Sequence, residues 1–200
     1  MHATRDGCSI AVMPFHSVKP RAARTGRVAT EAAIRVEEPL VCAVNHDQAR
    51  ERHGRTTVVV LRPFAYTLPD GSRTVRVPPT YLTDFASIPT FVRWVIPPFG
   101  RHAIAAVLHD WLYTIGQPGR RGEADDIFRE ALKELGVGLP RRSAMHAAVR
   151  AGGGGAYDRA GADWNASFMD WRTGGATVPA PSREAFFNDA WPAGVPTVDL

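Results

Sequence analysis

The chain has 200 residues, of which 44% are hydrophobic and 22% are charged, a balance typical of one soluble globular domain with extensions. Its formal charge of +4 does not predict a specific nucleic-acid partner, because the Arg residues are dispersed and no segment alternates basic with aromatic residues. The two cysteines, Cys8 and Cys42, exclude a disulfide framework and a cysteine-based zinc site, and no apolar run is long enough to predict a transmembrane segment.

Residues 1–54 are predicted to form a partly disordered N-terminal arm. The composition changes near residue 55, because residues 56–61 are β-branched and apolar enough to form a strand. We therefore predict that order begins near residue 55 and that a core domain spans residues 55–152.

A β-hairpin is predicted over residues 56–77. Its turn is the Pro-Asp-Gly-Ser sequence at 69–72, in which Pro presets φ while Asp and Gly tolerate a tight reversal. Residues 73–77 alternate as the return strand, and the prolines at 78 and 79 end it because proline cannot donate to a sheet ladder.

Three helices are predicted after the hairpin, over residues 101–115, 123–135 and 140–151. In the first two, apolar residues recur at helical spacing and fall on one face. The third begins with a proline at a permitted position and ends at the four glycines of 152–155, which indicate a linker or a sharp break.

Polar residues take distinct positions on these helices. His109 and Tyr113 are one turn apart on the flank of the apolar stripe, whereas Asp110 lies on the far side. On the second helix Asp125 borders the buried face, and Asp126 points away from it. The two helices can therefore bring His109, Tyr113 and Asp125 together.

Residues 153–200 form a Gly-, Pro- and Trp-rich C-terminal extension. Its aromatic residues are separated by Gly and Pro, which indicates a segment that packs against the same chain or another subunit without forming a second domain. The predicted fold is thus α+β: a small β-hairpin or sheet packed against about three helices, with poorly ordered extensions at both ends. The aromatic residues are Trp164, Phe168, Trp171, Phe186, Phe187 and Trp191.

Five short motifs occur in one order along the core. They are Thr-Asp-x-Ala-Ser-Ile-Pro at 83–89, Pro-Phe-Gly at 98–100, His-Asp-x-Leu-Tyr at 109–113, Ala-Asp-x-x-Phe at 124–128 and Ala-Val-Arg at 148–150. This order resembles the phage- and prophage-encoded family called domain of unknown function 1353, over roughly residues 60–152. The resemblance implies a viral or prophage setting, cytoplasmic in the host cell or virion-associated, and it implies no settled activity. His146 and both extensions depart from the family's pattern.

The spacing of His109, Asp110 and Tyr113 is also similar to the His-Asp-x-x-Tyr helix of phospholipase A2, in which a distant Asp orients the His and the adjacent Asp holds calcium. The similarity is local, since this chain lacks the disulfides and the glycine-rich calcium loop of those enzymes. In such a site Asp125 fixes the tautomer of His109, which acts as general base, and Tyr113 steadies Asp125. Asp110 and Asp84 are then the ligands of a divalent cation, calcium or zinc, that polarises an ester or phosphoryl oxygen.

Each of these residues also has a structural interpretation. His109 would donate to a backbone carbonyl, as buried polar groups generally do. Asp125 and Asp126 would complement the positive end of their helix. Asp84 and Ser87 would cap a short helix after Pro89 or stabilise a turn.

Two functional hypotheses follow. One is a small metal-assisted hydrolase, for which we expect His109→Ala to abolish activity with little change in melting temperature. The other is a noncatalytic phage morphogenesis or virion protein of head or tail, whose C-terminal extension binds phage structural proteins or self-associates. A His109–Asp125 hydrogen bond beside an open cavity favours catalysis, and a sealed pocket favours a structural role.

Overall fold

The computed structural model describes residues 8–12, 40–45, 57–84, 100, 102–175, 180–188, 191–192, 194–196 and 198. Within these residues the chain forms two antiparallel sheets and four helices, which confirms the predicted α+β class. The strands are β1 (Cys8–Val12), β2 (Val41–Asn45), β3 (Thr57–Val60), β4 (Phe64–Thr67), β5 (Thr74–Val77) and β6 (Leu82–Thr83). The helices are α1 (Ala103–Ile115), α2 (Arg121–Glu134), α3 (Leu139–Gly152) and α4 (Gly154–Asp158), and 3-10 turns follow at Asn165–Ser167 and Arg183–Phe187.

The larger sheet has the strand order β1, β2, β3, β6. All four residues of β3 are buried. This burial explains why its sequence is a continuous β-branched run, since a half-exposed strand would alternate apolar with polar residues. Val58 of β3 is paired with Thr83 of β6, so Asp84 lies just beyond the end of a strand at the edge of this sheet. The sheet therefore fixes the position of Asp84, which belongs to the motif at 83–89.

Two strands come from the predicted N-terminal arm. Cys42 of β2 is paired with Val60 of β3, and Val41 of β2 is paired with Val12 of β1. The prediction that order begins near residue 55 is therefore wrong, because residues 40–44 are buried against β3. The remainder of the arm lies outside the described residues.

The hairpin consists of β4 and β5, in which Phe64 is paired with Val77. Its turn is the predicted one, since Gly71 has φ of 71° and donates its N–H to the carbonyl of Leu68 at 2.8 Å. The prediction that the hairpin begins with the strand at residue 56 is wrong, because residues 57–60 pair in the larger sheet. The exposed Pro63 separates the two strands, since proline has no N–H to continue a ladder.

The three predicted helices are confirmed, with bounds that differ from the prediction by at most two residues. α1 ends at Gly116, whose positive φ of 47° and N–H donation to Leu112 form a left-handed cap. The glycines at 152–155 are a break, since Gly153 separates α3 from α4. None of the helices in the described ranges combines the length and the apolar character needed to cross a bilayer.

α1 is buried along almost its whole length. Every residue of the helix except Thr114 is buried, including Ala103 and Asp110. The expectation that Asp110 lies on an outward face is therefore wrong. Strands β5 and β6, helices α2 and α4, and the 3-10 turn Arg183–Phe187 all contact α1.

The C-terminal extension packs onto the core of the same chain. Trp111 of α1 lies between the rings of Trp164, Phe168 and Phe186, with centroid distances of 5.8, 6.2 and 4.9 Å. Phe168 also forms a β-bridge with Tyr81, next to β6. Trp111 is 1% exposed, so these later residues complete the hydrophobic core. The short helix expected after Pro89 lies outside the described residues.

Candidate functional site

The consecutive residues His109 and Asp110 connect α1 to two different elements. The Nε2 atom of His109 lies 2.9 Å from Oδ1 of Asp125 on α2. The hydroxyl of Thr83, at the end of β6, donates to Oδ2 of Asp110. Neighbouring residues on a helix point about 100° apart, so one His-Asp pair reaches two partners. Residues from the motifs at 83–89, 109–113 and 124–128 therefore meet at the middle of α1.

Asp125 is the centre of a buried network. Its Oδ1 atom also accepts a hydrogen bond of 2.7 Å from the hydroxyl of Tyr113, and the residue is 0% exposed. Because a carboxylate only accepts, Nε2 of His109 donates the hydrogen bond to Asp125. Oδ2 makes no hydrogen bond to any described residue, and a guanidinium nitrogen of Arg150 lies 3.7 Å from it.

The network fixes the protonation states of the Asp125 carboxylate and the Tyr113 hydroxyl. Burial raises the pKa of Asp125, but hydrogen bonds from His109 and Tyr113, with the charges of His109 and Arg121, lower it below the ordinary 3.8. Burial, followed by the hydrogen bond to Asp125, raises the pKa of the Tyr113 hydroxyl well above 10.0. Asp125 is therefore ionised at neutral pH, and Tyr113 remains a hydrogen-bond donor.

The imidazole of His109 is fixed by its neighbours. Its ring lies 4.2 Å from the ring of Tyr113 and 4.8 Å from that of Phe128, measured between centroids. The residue is 0% exposed, and its Nδ1 atom is buried with no hydrogen bond to a described residue. The ring is therefore held in a single orientation, with Nε2 toward Asp125 and Nδ1 away from it.

A cavity of about 760 Å³ adjoins the network. This volume falls in the range of small-molecule sites. Its described lining includes Asp84, His109, Asp110 and Tyr113, and it continues along the α3–α4 break to Arg159 and beyond. The cavity therefore combines a potential base, carboxylates and a guanidinium.

The chain segment that carries this network can be assigned to a family. Residues 58–149 match the family described as Protein of unknown function (DUF1353). The matched segment contains His109, Asp110, Tyr113 and Asp125. This segment belongs to the DUF1353 family. The assignment agrees with the resemblance found in the sequence. Neither a curated protein nor a solved structure matches the chain.

The DUF1353 segment forms only part of the cavity wall. Asp84 and the hydrogen-bonded network come from within it, whereas Gly153, Arg159 and Ser167 line the cavity from beyond residue 149. The cavity of this chain is thus built jointly by the family segment and the C-terminal extension.

Asp84 and Asp110 are close enough to influence the same hydroxyl. Burial raises the pKa of Tyr81 above 10.0, and the charges of Asp110 and Asp84 raise it further. In the described ranges no three His, Cys, Asp or Glu side chains form a group that could hold a metal ion. These two carboxylates could therefore be only part of a cation's coordination shell, with the remainder supplied by water or substrate.

Several contacts of the site were not predicted from the sequence. Arg121 donates to the backbone carbonyl of Arg150, beside the α3–α4 break. A Cβ atom at Gly153 would lie 2.3 Å from the Tyr113 hydroxyl, so only glycine fits there without a shift. The glycine run and the Ala-Val-Arg motif at 148–150 were the available signals. Asp126, as predicted, lies outside the site, and its carboxylate is 3.2 Å from Nε2 of His146.

Proposed function

We propose that this protein is a small metal-assisted hydrolase of esters or phosphoesters, which acts in a phage or prophage setting. The observation that supports the proposal is the pairing of His109 with the buried carboxylate of Asp125, beside a cavity that is also lined by Asp84 and Asp110. A base oriented by an ionised acid next to substrate-sized space is the arrangement required for activating water.

His109 is the general base in this mechanism. Its Nδ1 takes a proton from water while the oxygen attacks the carbonyl carbon or the phosphorus atom, and the proton then passes to the leaving oxygen. Asp125 stabilises the imidazolium through Nε2–H, and Tyr113 holds Asp125 in place. Because Nδ1 is buried, substrate binding must displace the cavity wall enough to admit the attacking water.

Asp84 and Asp110 would hold a divalent cation, which would supply the electrophile. Two carboxylates with water and substrate oxygens satisfy a hard cation such as Mg²⁺ or Ca²⁺. Such a cation would polarise the oxygen on which negative charge develops. Asp110 also accepts a hydrogen bond from Thr83, which orients its side chain.

The test is a comparison of His109→Gln with His109→Ala. The amide nitrogen of Gln can occupy the position of Nε2 and keep the donation to Asp125, but it supplies no base. We expect His109→Gln to lower kcat on p-nitrophenyl acetate and bis(p-nitrophenyl) phosphate by about 100-fold or more. His109→Ala should also cost about 3 kcal/mol of stability, because it leaves a void beside a buried carboxylate.

The sequence alone predicts little change in the melting temperature of His109→Ala. Because His109 is buried, the structure instead predicts a decrease. Glu130→Gln, at a partly exposed position on α2 whose carboxylate pairs with Lys133, is the control for both assays. A His109→Gln protein that hydrolyses both substrates at the rate of the unaltered protein excludes His109 as the base. The role of the cation is tested in parallel by thermal shift with Mg²⁺, Ca²⁺ and Zn²⁺, in which Asp84→Asn should lose the stabilisation.

A noncatalytic virion protein is the second candidate. The observation that favours it is the burial of the network, since His109 and Asp125 are both 0% exposed. In that case the network only stabilises the fold. His109→Gln and Asp125→Asn would then change the melting temperature, while the unaltered protein would show no turnover of either substrate.

A further inference from the structure

We propose that Arg150 is a positioning residue of this site, which acts through the carboxylate of Asp125. Its guanidinium holds the second oxygen of that carboxylate, so that the first oxygen stays directed at His109. The effect of Arg150 on catalysis rests on the proposed function, whereas its contact with Asp125 does not.

Asp125 has one oxygen that its hydrogen-bonding partners do not use. Nε2 of His109 and the hydroxyl of Tyr113 both bind Oδ1, at 2.9 and 2.7 Å. Oδ2 is buried and accepts no hydrogen bond from a described residue. Because the two oxygens of a carboxylate are chemically equivalent, the carboxylate can turn and exchange them unless a group beside Oδ2 holds it. A buried oxygen without a donor also costs stability, so a positive group is favoured there.

Arg150 supplies positive charge at Oδ2. Its Nη1 atom lies 3.7 Å from this oxygen, which is close enough for an ion pair although too far for a hydrogen bond. Among the described residues, no other Arg or Lys forms an ion pair with Asp125. Arg121 also lies near the network, and its guanidinium interacts mainly with the hydroxyl of Tyr113. The two arginines therefore contact different members of the network.

The backbone around Arg150 is arranged to permit this contact. Arg121, the first residue of α2, donates to the backbone carbonyl of Arg150 and thereby holds the end of α3 against α2. The guanidinium of Arg150 lies over Gly122, where a Cβ atom would be 3.0 Å from Nη1. A larger residue at 122 would crowd the guanidinium, so the glycine leaves room for it beside Asp125.

Arg150 acts from outside the cavity. Its side chain is half exposed, and Arg150 is not among the described residues that line the cavity, although the preceding residue Val149 is. In the proposed mechanism it therefore does not contact substrate. A change at position 150 must reach His109 through Asp125.

The experiment measures the Nε2–H proton of His109 by NMR, using protein labelled with ¹⁵N-histidine, and the resonance is assigned by its loss in His109→Gln. Arg150→Gln should accelerate exchange of this proton with water by about tenfold relative to the backbone amides of α1, because Asp125 is then free to turn away. The amides report opening of the whole helix, so they separate positioning from a general loss of stability. In the same variant kcat on p-nitrophenyl acetate should fall by a similar factor, with little change in KM.

Gly122→Ala is a second variant, since it displaces the guanidinium without removing its charge. It should accelerate exchange of the same proton by a smaller factor, while stability is preserved because alanine is favoured over glycine in a helix. Arg129→Gln is the control, since Arg129 is exposed on α2 and forms no ion pair with Asp125. It should leave both the exchange rate and kcat unchanged.

The inference fails if exchange of the His109 proton is unchanged in Arg150→Gln or in Gly122→Ala, or if Arg129→Gln accelerates it equally. It also fails if the backbone amides of α1 accelerate as much as this proton in Arg150→Gln, which is the result expected of a purely structural arginine. Faster exchange in Arg150→Gln of a protein without turnover would retain the positioning role and reject the hydrolase. Turnover that depends on His109 but not on Arg150 would do the reverse.

Discussion

Asp125 has the most demanding environment of any residue in the site. A buried carboxylate loses its hydration, and this cost is offset here by two donors on a single oxygen, Nε2 of His109 at 2.9 Å and the hydroxyl of Tyr113 at 2.7 Å. Hydrogen bonds to a charged group contribute about 1.5–3 kcal/mol each, enough together to keep the acid ionised. The stability of the protein therefore depends on the charge of Asp125.

This dependence predicts how stability varies with pH. The pKa of Asp125 is lower in the folded protein than its ordinary 3.8, so near and below pH 3.8 the unfolded chain binds a proton that the folded chain does not. The stabilising contribution is present above the unfolded pKa and is lost as the pH falls through the folded pKa. We expect the free energy of unfolding, measured by urea titration, to decrease more steeply below pH 4 in the unaltered protein than in Asp125→Asn.

Asp126→Asn is the control for this experiment, because Asp126 is the adjacent carboxylate and is 67% exposed. Its pH profile should follow that of the unaltered protein. Parallel profiles for Asp125→Asn and the unaltered protein would show that the charge of Asp125 does not stabilise the fold.

Sequence reasoning located the partners of His109 but not the burial of Asp110. His109 and Tyr113 share a helix face by spacing alone, and Asp125 borders the apolar face of the next helix, so their meeting follows from local periodicity. Asp110 is buried because β6 and the C-terminal residues cover the other side of α1. That covering is a tertiary property, which the periodicity of one helix does not contain.

At the scale of elements, the α3–α4 break is shaped to fit Tyr113. Gly153 has ordinary helical angles, φ of −79° and ψ of −12°, so its backbone alone does not require glycine. The constraint is steric, since a Cβ would lie 2.3 Å from the Tyr113 hydroxyl and 2.6 Å from the carbonyl of Val149. The break therefore holds α4 close to α1 and to the donor on which Asp125 depends.

We expect Gly153→Ala to destabilise the protein by about 1–3 kcal/mol, because the added methyl group forces these elements apart. Gly152→Ala is the matched control, since a Cβ there meets nothing within 4 Å and alanine favours a helix. Urea titrations of both variants give the comparison. Tyr113→Phe removes a donor to Asp125, but it should cost less stability in the Gly153→Ala background than in the unaltered protein, because it also removes the nearest clashing atom. Equal stabilities of Gly153→Ala and Gly152→Ala would contradict the proposed steric constraint.

The pairing of strands was the least predictable part of the fold. The composition of residues 57–60 identifies a strand, and the turn at 69–72 identifies a hairpin, but neither specifies a partner. Val58 and Val60 pair instead with residues on β6 and β2, which are distant in sequence. Partner choice depends on this long-range burial, whereas turn chemistry and helical periodicity are local.

At the scale of the whole molecule, the C-terminal extension belongs to the same core as the DUF1353 segment. Phe168 and Trp164 pack on Trp111, and Trp171 packs against Val41 and Leu61 of the larger sheet region. The aromatic composition indicated that this segment packs, and only the tertiary structure identified its partner. Deleting residues 156–200 would therefore expose the core. If the shortened protein failed to assemble with other subunits, that failure would not demonstrate that these residues form an intermolecular interface.

Two single substitutions test this integration without removing the segment. Phe186 is 6% exposed, and its ring lies 4.9 Å from that of Trp111, so Phe186→Ala should destabilise the whole protein by about 3 kcal/mol. Trp191 is 39% exposed and its ring is 5.9 Å from the Arg76 guanidinium, so Trp191→Ala should cost less than about 1 kcal/mol. Urea unfolding followed by tryptophan fluorescence and by circular dichroism should give one coincident transition in each variant. Two separate transitions, or equal stabilities of the two variants, would mean that the C-terminal residues fold independently of α1.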